Sequence, residues 1–118
     1  MRDFKEFKVW EKAHQLSIQV YRISPKIPED ERYGPVSQLR RAVTSIPTNI
    51  AEGCGRDSER EFARFLSIAA GSASEVECQL LLAHDLNYIQ DDYDQLYTSV
   101  SEIKKMLNSL IKKLTADS

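Results

Sequence analysis

The chain has 118 residues, 42% of them hydrophobic, and a net charge of -2. Four glycines and four prolines are too few for a turn-rich β architecture, and no apolar run approaches the roughly 20 residues that a membrane span needs. The length fits one domain, residues 1–118, with one core. Because the start has no apolar leader and the chain has only two cysteines, we expect a cytoplasmic protein with free thiols and no disulfide framework.

Apolar residues at spacings of three and four predict a first helix over about residues 4–24. Its core stripe comprises Val9, Trp10, Ala13, Leu16, Val20 and Ile23. Ser24-Pro25 ends it, because the residue before a proline is pushed out of the α region.

A second helix is predicted over about residues 35–53, with Pro35 at its first position and a core stripe of the same period. The stripe comprises Val36, Leu39, Val43, Ile46 and Ile50. Pro47 lies inside this helix and removes one backbone hydrogen bond, which costs about 3 kcal/mol or kinks the helix. The missing bond frees the carbonyl of Val43 to accept a side-chain donor.

A third helix is predicted over about residues 58–89, opening with Ser58 and Glu61 as a capping box. Its core face comprises Phe62, Phe65, Leu66, Ala69, Ala73, Val76, Leu80, Ala83 and Asn87. A fourth helix is predicted over about residues 92–115, with Asp92 as cap and Gln95 as its partner. Its seam comprises Leu96, Val100, Ile103, Leu107, Leu110 and Leu114. Four amphipathic helices with short connections predict an all-α, antiparallel, up-down-up-down four-helix bundle.

A set of polar residues on the second helix is predicted to point away from the core. With Val43 at the centre of the core face and about 100° per residue, four of them lie within about 40° of the opposite face, and a fifth lies on its flank. The four are Arg41, Ser45, Thr48 and Glu52, and the fifth is Asn49. This outer stripe is either a solvated surface or a contact with another subunit. We interpret it as a candidate oligomer interface, because Pro47 and several small or apolar residues accompany it.

Charge is distributed unevenly along the chain. Residues 65–103 contain seven acidic residues and no Lys or Arg. In an up-down bundle, residues 1–12, 52–64 and 104–118 share one end, with eleven basic and eight acidic residues, a net +3. The basic side chains of that end that could contact phosphate are Arg2, Lys5, Lys8, Arg56, Arg60, Lys112 and Lys113.

Motifs for catalysis are few. One Glu-x-x-His motif, Glu11 to His14, stands without the second copy that a di-metal bundle uses, so no metal or other cofactor is predicted. Cys54, close to Arg56, is a candidate reactive thiol, although the sequence shows no base to partner it. Two interpretations remain. The chain is a homo-oligomeric scaffold, or it is a small enzyme with a site near Cys54 or at Arg41, Asn49 and Glu52.

Several segments of the chain resemble a known family. The most specific is the run Ser45-Ile46-Pro47-Thr48-Asn49-Ile50-Ala51-Glu52-Gly53. The other matching segments are Phe7-Lys8-Val9-Trp10, Tyr33-Gly34, Gln38-Leu39-Arg40-Arg41-Ala42, Arg56, Phe62, Arg64-Phe65-Leu66 and Ala69-Ala70-Gly71-Ser72. The chain resembles the four-helix-bundle family first seen encoded in intervening sequences of bacterial 23S rRNA genes, a group that includes the accessory variability protein of diversity-generating retroelements.

The resemblance implies a four-helix bundle, assembly into a homopentameric ring and no established enzyme activity. Its retroelement members contact a reverse transcriptase and nucleic acid, and they are basic, whereas this chain has a net charge of -2. We therefore expect a non-enzymatic, pentameric scaffold or adaptor without a membrane partner. One rim of the ring is expected to bind RNA, DNA or a nucleic-acid enzyme such as a reverse transcriptase.

Overall fold

The structure, a computed structural model, describes residues 2–28, 30 and 32–116, and over these residues it contains four α-helices and no strands. The helices are α1 (Lys8–Ile23), α2 (Ser37–Cys54), α3 (Glu59–Asp85) and α4 (Tyr93–Thr115). Two 3-10 helices, Phe4–Glu6 and Ser24–Lys26, flank α1, and a π-helical turn, Arg32–Val36, precedes α2. The predicted all-α fold with four helices is confirmed.

The helices pack side by side around a hydrophobic cluster. α1 and α3 each pack against both α2 and α4. The molecule measures 46 × 21 × 20 Å, because α3 has 27 residues and rises about 1.5 Å per residue. The apolar stripes predicted for α2 and α3 are buried, apart from Asn87, and burial of this apolar surface is the main force that favours folding.

The sequence predicted Trp10 inside the core, but the structure places it at the edge of the core. Val9 and Ala13 are buried, at 3% and 0% exposed, whereas Trp10 is half-buried. Its ring packs edge-on against Phe4, with ring centroids 4.9 Å apart, and the imidazole of His14 stacks on it at 4.8 Å. Trp10 therefore lies on the flank of α1 that faces α2.

The C-terminus of α3 comes earlier than the predicted limit near residue 89, because Asn87 adopts a left-handed conformation with φ 65°. The amide of Asn87 donates to the carbonyl of His84, and the amide of Tyr88 donates to that of Ala83, both at 2.9 Å. This is the Schellman arrangement, in which asparagine is tolerated in place of glycine. Asn87 thus ends the helix, and its predicted place on the core face is wrong.

The predicted helix N-caps are partly correct. The hydroxyl of Ser58 accepts the amide of Glu61 at 3.1 Å, but the carboxylate of Glu61 lies 3.2 Å from Arg64, so the reciprocal half of the box is replaced by an ion pair. Asp92 precedes α4 without a side-chain cap bond. Its carboxylate instead pairs with Lys26 at 2.5 Å and ties the end of α1 to the start of α4.

α2 differs from the prediction in its start and in the position of its proline. It begins at Ser37 rather than Pro35, because Pro35 lies in the preceding π-helical turn. The helix continues through Pro47, which is buried and lines the surface between α1 and α2. Pro47 is four residues from Val43, so it lies only about 40° from the core centre and not within the outer stripe.

The carbonyl of Val43 has lost its helical donor, since Pro47 has no amide hydrogen. The buried hydroxyl of Ser17 in α1 lies 3.2 Å from the carbonyl of Val43 and 3.1 Å from that of Ala13, and donates to both. The prediction that a side-chain donor serves Val43 is therefore confirmed.

Candidate functional site

The five polar residues predicted as an outer stripe of α2 fall into two groups. Ser45 and Asn49 are half-buried at the contact with α3. The hydroxyls of Ser45 and Ser72 are 2.9 Å apart, and the side-chain amide of Asn49 donates to the carbonyl of Ser45 at 2.8 Å and to its hydroxyl at 2.9 Å. These two residues make their polar contacts within the chain, which a helical wheel of α2 alone did not indicate.

Arg41, Thr48 and Glu52 form the second group and are exposed. The side chain of Arg41 is 68% exposed, donates to Gln38, and lies 3.7 Å from the carboxylate of Glu75 on α3. The hydroxyl of Thr48 donates to its own helix, to a carbonyl one turn earlier, at 2.8 Å. These three residues have the orientation that the wheel predicts, and their contact with a neighbouring subunit stays a prediction.

An apolar groove of about 740 Å³ runs between α1 and α2 and is open to solvent. Its walls include Trp10, Ile18 and Tyr21 from α1, and Pro47 and Ala51 from α2. Thr48 and Glu52 also line it, so two members of the outer stripe border this groove. Sequence analysis missed the groove, although its residues on α1 recur at helical spacing beside the core stripe.

Arg2 belongs to the packing of the basic end rather than to its free surface. Its guanidinium donates to the carbonyl of Arg56 at 2.9 Å and to that of Cys54 at 3.4 Å. The same guanidinium lies 4.4 Å from the ring centroid of Phe62. Arg2 thus ties the N-terminal segment to the connection between α2 and α3, and its donors are directed at protein.

The other six basic residues predicted to contact phosphate are exposed. They are Lys5, Lys8, Arg56, Arg60, Lys112 and Lys113. Arg56 lies 4.6 Å from the ring centroid of Phe65, which orients it beside the α2–α3 connection. In the part of the chain that the structure describes, none of the six takes part in an ion pair, so their charges face solvent.

Cys54 does not have the environment of a reactive thiol. It is 1% exposed, and burial raises the pKa of its thiol, while the nearby Arg2 only partly opposes that effect. A raised pKa lowers the fraction of thiolate, the nucleophilic form. This environment disfavours Cys54 as a nucleophile, and a site there stays a prediction. Cys78 is also a free thiol and is exposed.

The described residues also bear on membrane-spanning segments and metal sites. No helix there is long and apolar enough to cross a lipid bilayer. No group of three or more His, Cys, Asp and Glu side chains is placed to hold a metal ion in that part of the chain.

Comparisons with known proteins agree with the family resemblance. The family model of the 23S rRNA-intervening sequence protein matches residues 5–109. The fold is also similar to the crystal structure of a protein of unknown function from the S23 ribosomal protein family of Bacteroides thetaiotaomicron, with a TM-score of 0.81 and 29% identity over 88% of this chain and 98% of that chain. No curated protein matches the chain. This chain belongs to the 23S rRNA-intervening sequence protein family.

Proposed function

We propose that the protein is a non-enzymatic, cytoplasmic scaffold that assembles into a homopentameric ring through α2 and the groove beside it. The observation that carries this proposal is the apolar groove between α1 and α2. Tyr21 in its wall is 47% exposed, Trp10 is half-buried, and most of the surface lining the groove is apolar. Apolar side chains that stay open to solvent side by side favour a contact with another protein.

The groove fits a second copy of the chain better than a small substrate. Small-molecule sites bury most of their ligand, whereas this groove is widely open to solvent. A cyclic ring needs two different surfaces that meet head to tail. Ile68 and Leu82 on α3 are 41% and 53% exposed and supply apolar surface for the second side of that contact.

The proposal includes an antiparallel, up-down-up-down order of the helices. Ser17 of α1 donates to the carbonyl of Val43 in α2. Ser24, which follows Ser17 in the chain, accepts from Arg40, which precedes Val43, at 3.2 Å. Such opposite progression is typical of antiparallel neighbours. α3 and α4 have the same order of contacts, Glu77 with Lys104 and His84 with Tyr93.

The alternative, a small enzyme with a site at Cys54 or at Arg41, Asn49 and Glu52, has less support. The thiol of Cys54 is buried and has a raised pKa. The side-chain amide of Asn49 is already bonded to Ser45. A scaffold requires neither a nucleophile nor a base, and the exposed residues of the stripe, Arg41, Thr48 and Glu52, contact the neighbouring subunit in it.

Light scattering at micromolar concentration tests the assembly. We expect a mass near five times the chain mass of 13.5 kDa. Thr48→Arg should dissociate the ring, because it places a long charged side chain at the groove. The matched control is Thr98→Arg, an equally exposed threonine on α4 that does not line the groove. Arg41→Ala should weaken assembly as well, and a monomeric wild-type protein would contradict the proposal.

We further propose that one rim of the ring binds RNA or DNA, or an enzyme that carries it, through the six exposed basic side chains. Two observations support this part: the six side chains are exposed, and within the described residues none of them takes part in an ion pair.

Filter binding of single-stranded RNA at about 50 and about 200 mM salt should show affinity that falls steeply with salt. Lys112→Ala with Lys113→Ala should reduce that slope. Lys12→Ala should leave it unchanged, since Lys12 is paired with Glu102. Affinity that is absent, or indifferent to salt, rules this part out.

A further inference from the structure

A second surface, formed where the end of α3 meets the start of α4, is rich in aromatic side chains. The imidazole of His84 stacks on the ring of Tyr93, with centroids 4.1 Å apart, and the Tyr93 and Tyr97 rings are 5.9 Å apart. Leu81 lies three residues before His84 and therefore on the same side of α3. We name Leu81, His84, Tyr93 and Tyr97 the tyrosine surface.

The tyrosine surface is open to solvent at both of its edges. Leu81 is 48% exposed and Tyr97 is 44% exposed, while His84 and Tyr93 between them are half-buried. The two half-buried rings support each other by stacking, so the surface is a preformed platform. Aromatic side chains that keep part of their area exposed in this way are enriched at protein contact sites.

The surroundings of the tyrosine surface are negative. The carboxylate of Asp85 lies 3.3 Å from the imidazole of His84 and its side chain is 65% exposed. Burial raises the pKa of Tyr93, and so do Tyr97 and the negative charges of Asp85, Glu77 and Asp94. Glu77 is neutralised by Lys104 at 2.9 Å, which leaves Asp85 and Asp94 as the acidic groups that can pair with a partner.

Four aromatic rings elsewhere in the described residues have a basic side chain over them, whereas Tyr93 and Tyr97 have none. Five basic side chains lie within 5.9 Å of an aromatic ring elsewhere in the described chain, among them Arg40, 4.6 Å from the centroid of Tyr21. Within the same described residues, no basic side chain lies over Tyr93 or Tyr97. Residues 65–103 contain no Lys or Arg to provide one. His84 covers one face of Tyr93, so the 44%-exposed ring of Tyr97 is the one open to a cation from outside the chain.

We propose that the tyrosine surface binds an arginine-rich segment of a partner protein. A guanidinium group lies on the ring of Tyr97, and neighbouring ones pair with Asp85 and Asp94. Arginine fits better than lysine, because the planar guanidinium stacks on a ring and bonds a carboxylate through two donors. Nucleic acid is disfavoured at this surface, since Asp85 and Asp94 repel phosphate. The inference does not depend on the ring or on the basic rim of the proposed function.

Fluorescence anisotropy with a labelled oligoarginine peptide tests this proposal, with oligolysine and oligoglutamate as comparison peptides. Oligoarginine should bind tightest and oligoglutamate should not bind. Tyr97→Ala should weaken oligoarginine binding about tenfold, and Tyr97→Phe should retain it within about twofold, because the ring carries the contact. Asp85→Asn with Asp94→Asn should weaken binding and reduce its salt dependence.

Leu86→Ala is the control, since Leu86 and Tyr97 are 48% and 44% exposed and Leu86 lies outside both the tyrosine surface and the groove. It should leave oligoarginine binding unchanged. The proposal is overturned by equal binding to wild type and Tyr97→Ala, by oligoglutamate binding as well as oligoarginine, or by single-stranded RNA displacing the peptide. If Tyr97→Ala instead dissociates the homo-oligomer, the occupant is a second copy of the chain and the proposal is wrong.

Discussion

The two sides of α2 are packed differently. Toward α3 the contact is close. A Cβ built on Gly53 would lie 2.9 Å from both Cδ1 of Phe62 and Cβ of Phe65, and the hydroxyls of Ser45 and Ser72 meet at 2.9 Å. Toward α1 the same helix leaves an apolar groove of about 740 Å³.

This difference indicates a division of roles along one helix. Small residues on the α3 side let the two backbones approach and bury apolar surface, which stabilises the fold. On the α1 side, Pro47 and Trp10 keep apolar surface at the edge of the core, where it is available to another molecule. Substitutions on the closed side should therefore change mainly stability, and substitutions along the groove should change mainly assembly.

The largest effect is expected at Gly53 on the closed side. Gly53→Ala should lower the free energy of unfolding by about 2–3 kcal/mol, because the new methyl group overlaps two phenylalanines of α3. Gly71→Ala is the control, since nothing lies within 4 Å of a Cβ there. It should stabilise the protein by up to about 1 kcal/mol, as alanine favours a helix over glycine. Urea denaturation measures both, and a Gly53→Ala variant as stable as Gly71→Ala would show that the contact of α2 with α3 is not close at Gly53.

A smaller effect is expected on the α1 side. Ser17→Ala should cost about 1–2 kcal/mol, because it leaves the carbonyl of Val43 buried without a donor. In a Pro47→Ala background the same change should cost less, since residue 47 then has an amide hydrogen that reaches Val43. Denaturation of the two single variants and the double variant gives this coupling. Additive effects would show that the serine does not substitute for the missing amide.

The smallest effect concerns the contact of α1 with α4. A hydrogen bond from Lys12 at 2.6 Å, and then its charge, lower the pKa of Glu102 below its ordinary value of 4.5. A lowered folded-state pKa gives stability that is present above pH 4.5 and is lost as the pH falls through the folded-state value. Lys12→Met should therefore be slightly less stable than wild type at neutral pH and equal to it in acid. Urea midpoints measured across this range check the sign, and a gap that grows in acid would contradict it.

The helices and their core stripes were predictable because period and proline position are local signals. The end of α3 was not, because Asn87 continues the core spacing although its backbone is left-handed. The orientation of Pro47 could have been obtained from the wheel, which places it close to Val43. Its assignment to the outer stripe overlooked that angle.

The candidate sites were less predictable than the fold. A helical wheel shows in which direction a residue points relative to the core. It does not show how much of that residue a neighbouring helix covers. Ser45 is half-buried against Ser72 of α3 for that reason, whereas Arg41 stays exposed. The tyrosine surface was missed because His84 and Tyr93 lie on different helices, and only the tertiary structure brings their rings together.

The hydroxyl of Ser17 also restricts how α1 and α2 can align. If α1 slid along α2 by one turn, about 5.4 Å, Ala13 or Tyr21 would stand opposite Val43. Alanine has no hydroxyl, and that of tyrosine is at the far end of a long ring. A slipped alignment would therefore keep much of its hydrophobic burial but leave one carbonyl without a donor. A single polar contact thus selects one alignment among several that apolar packing alone would permit.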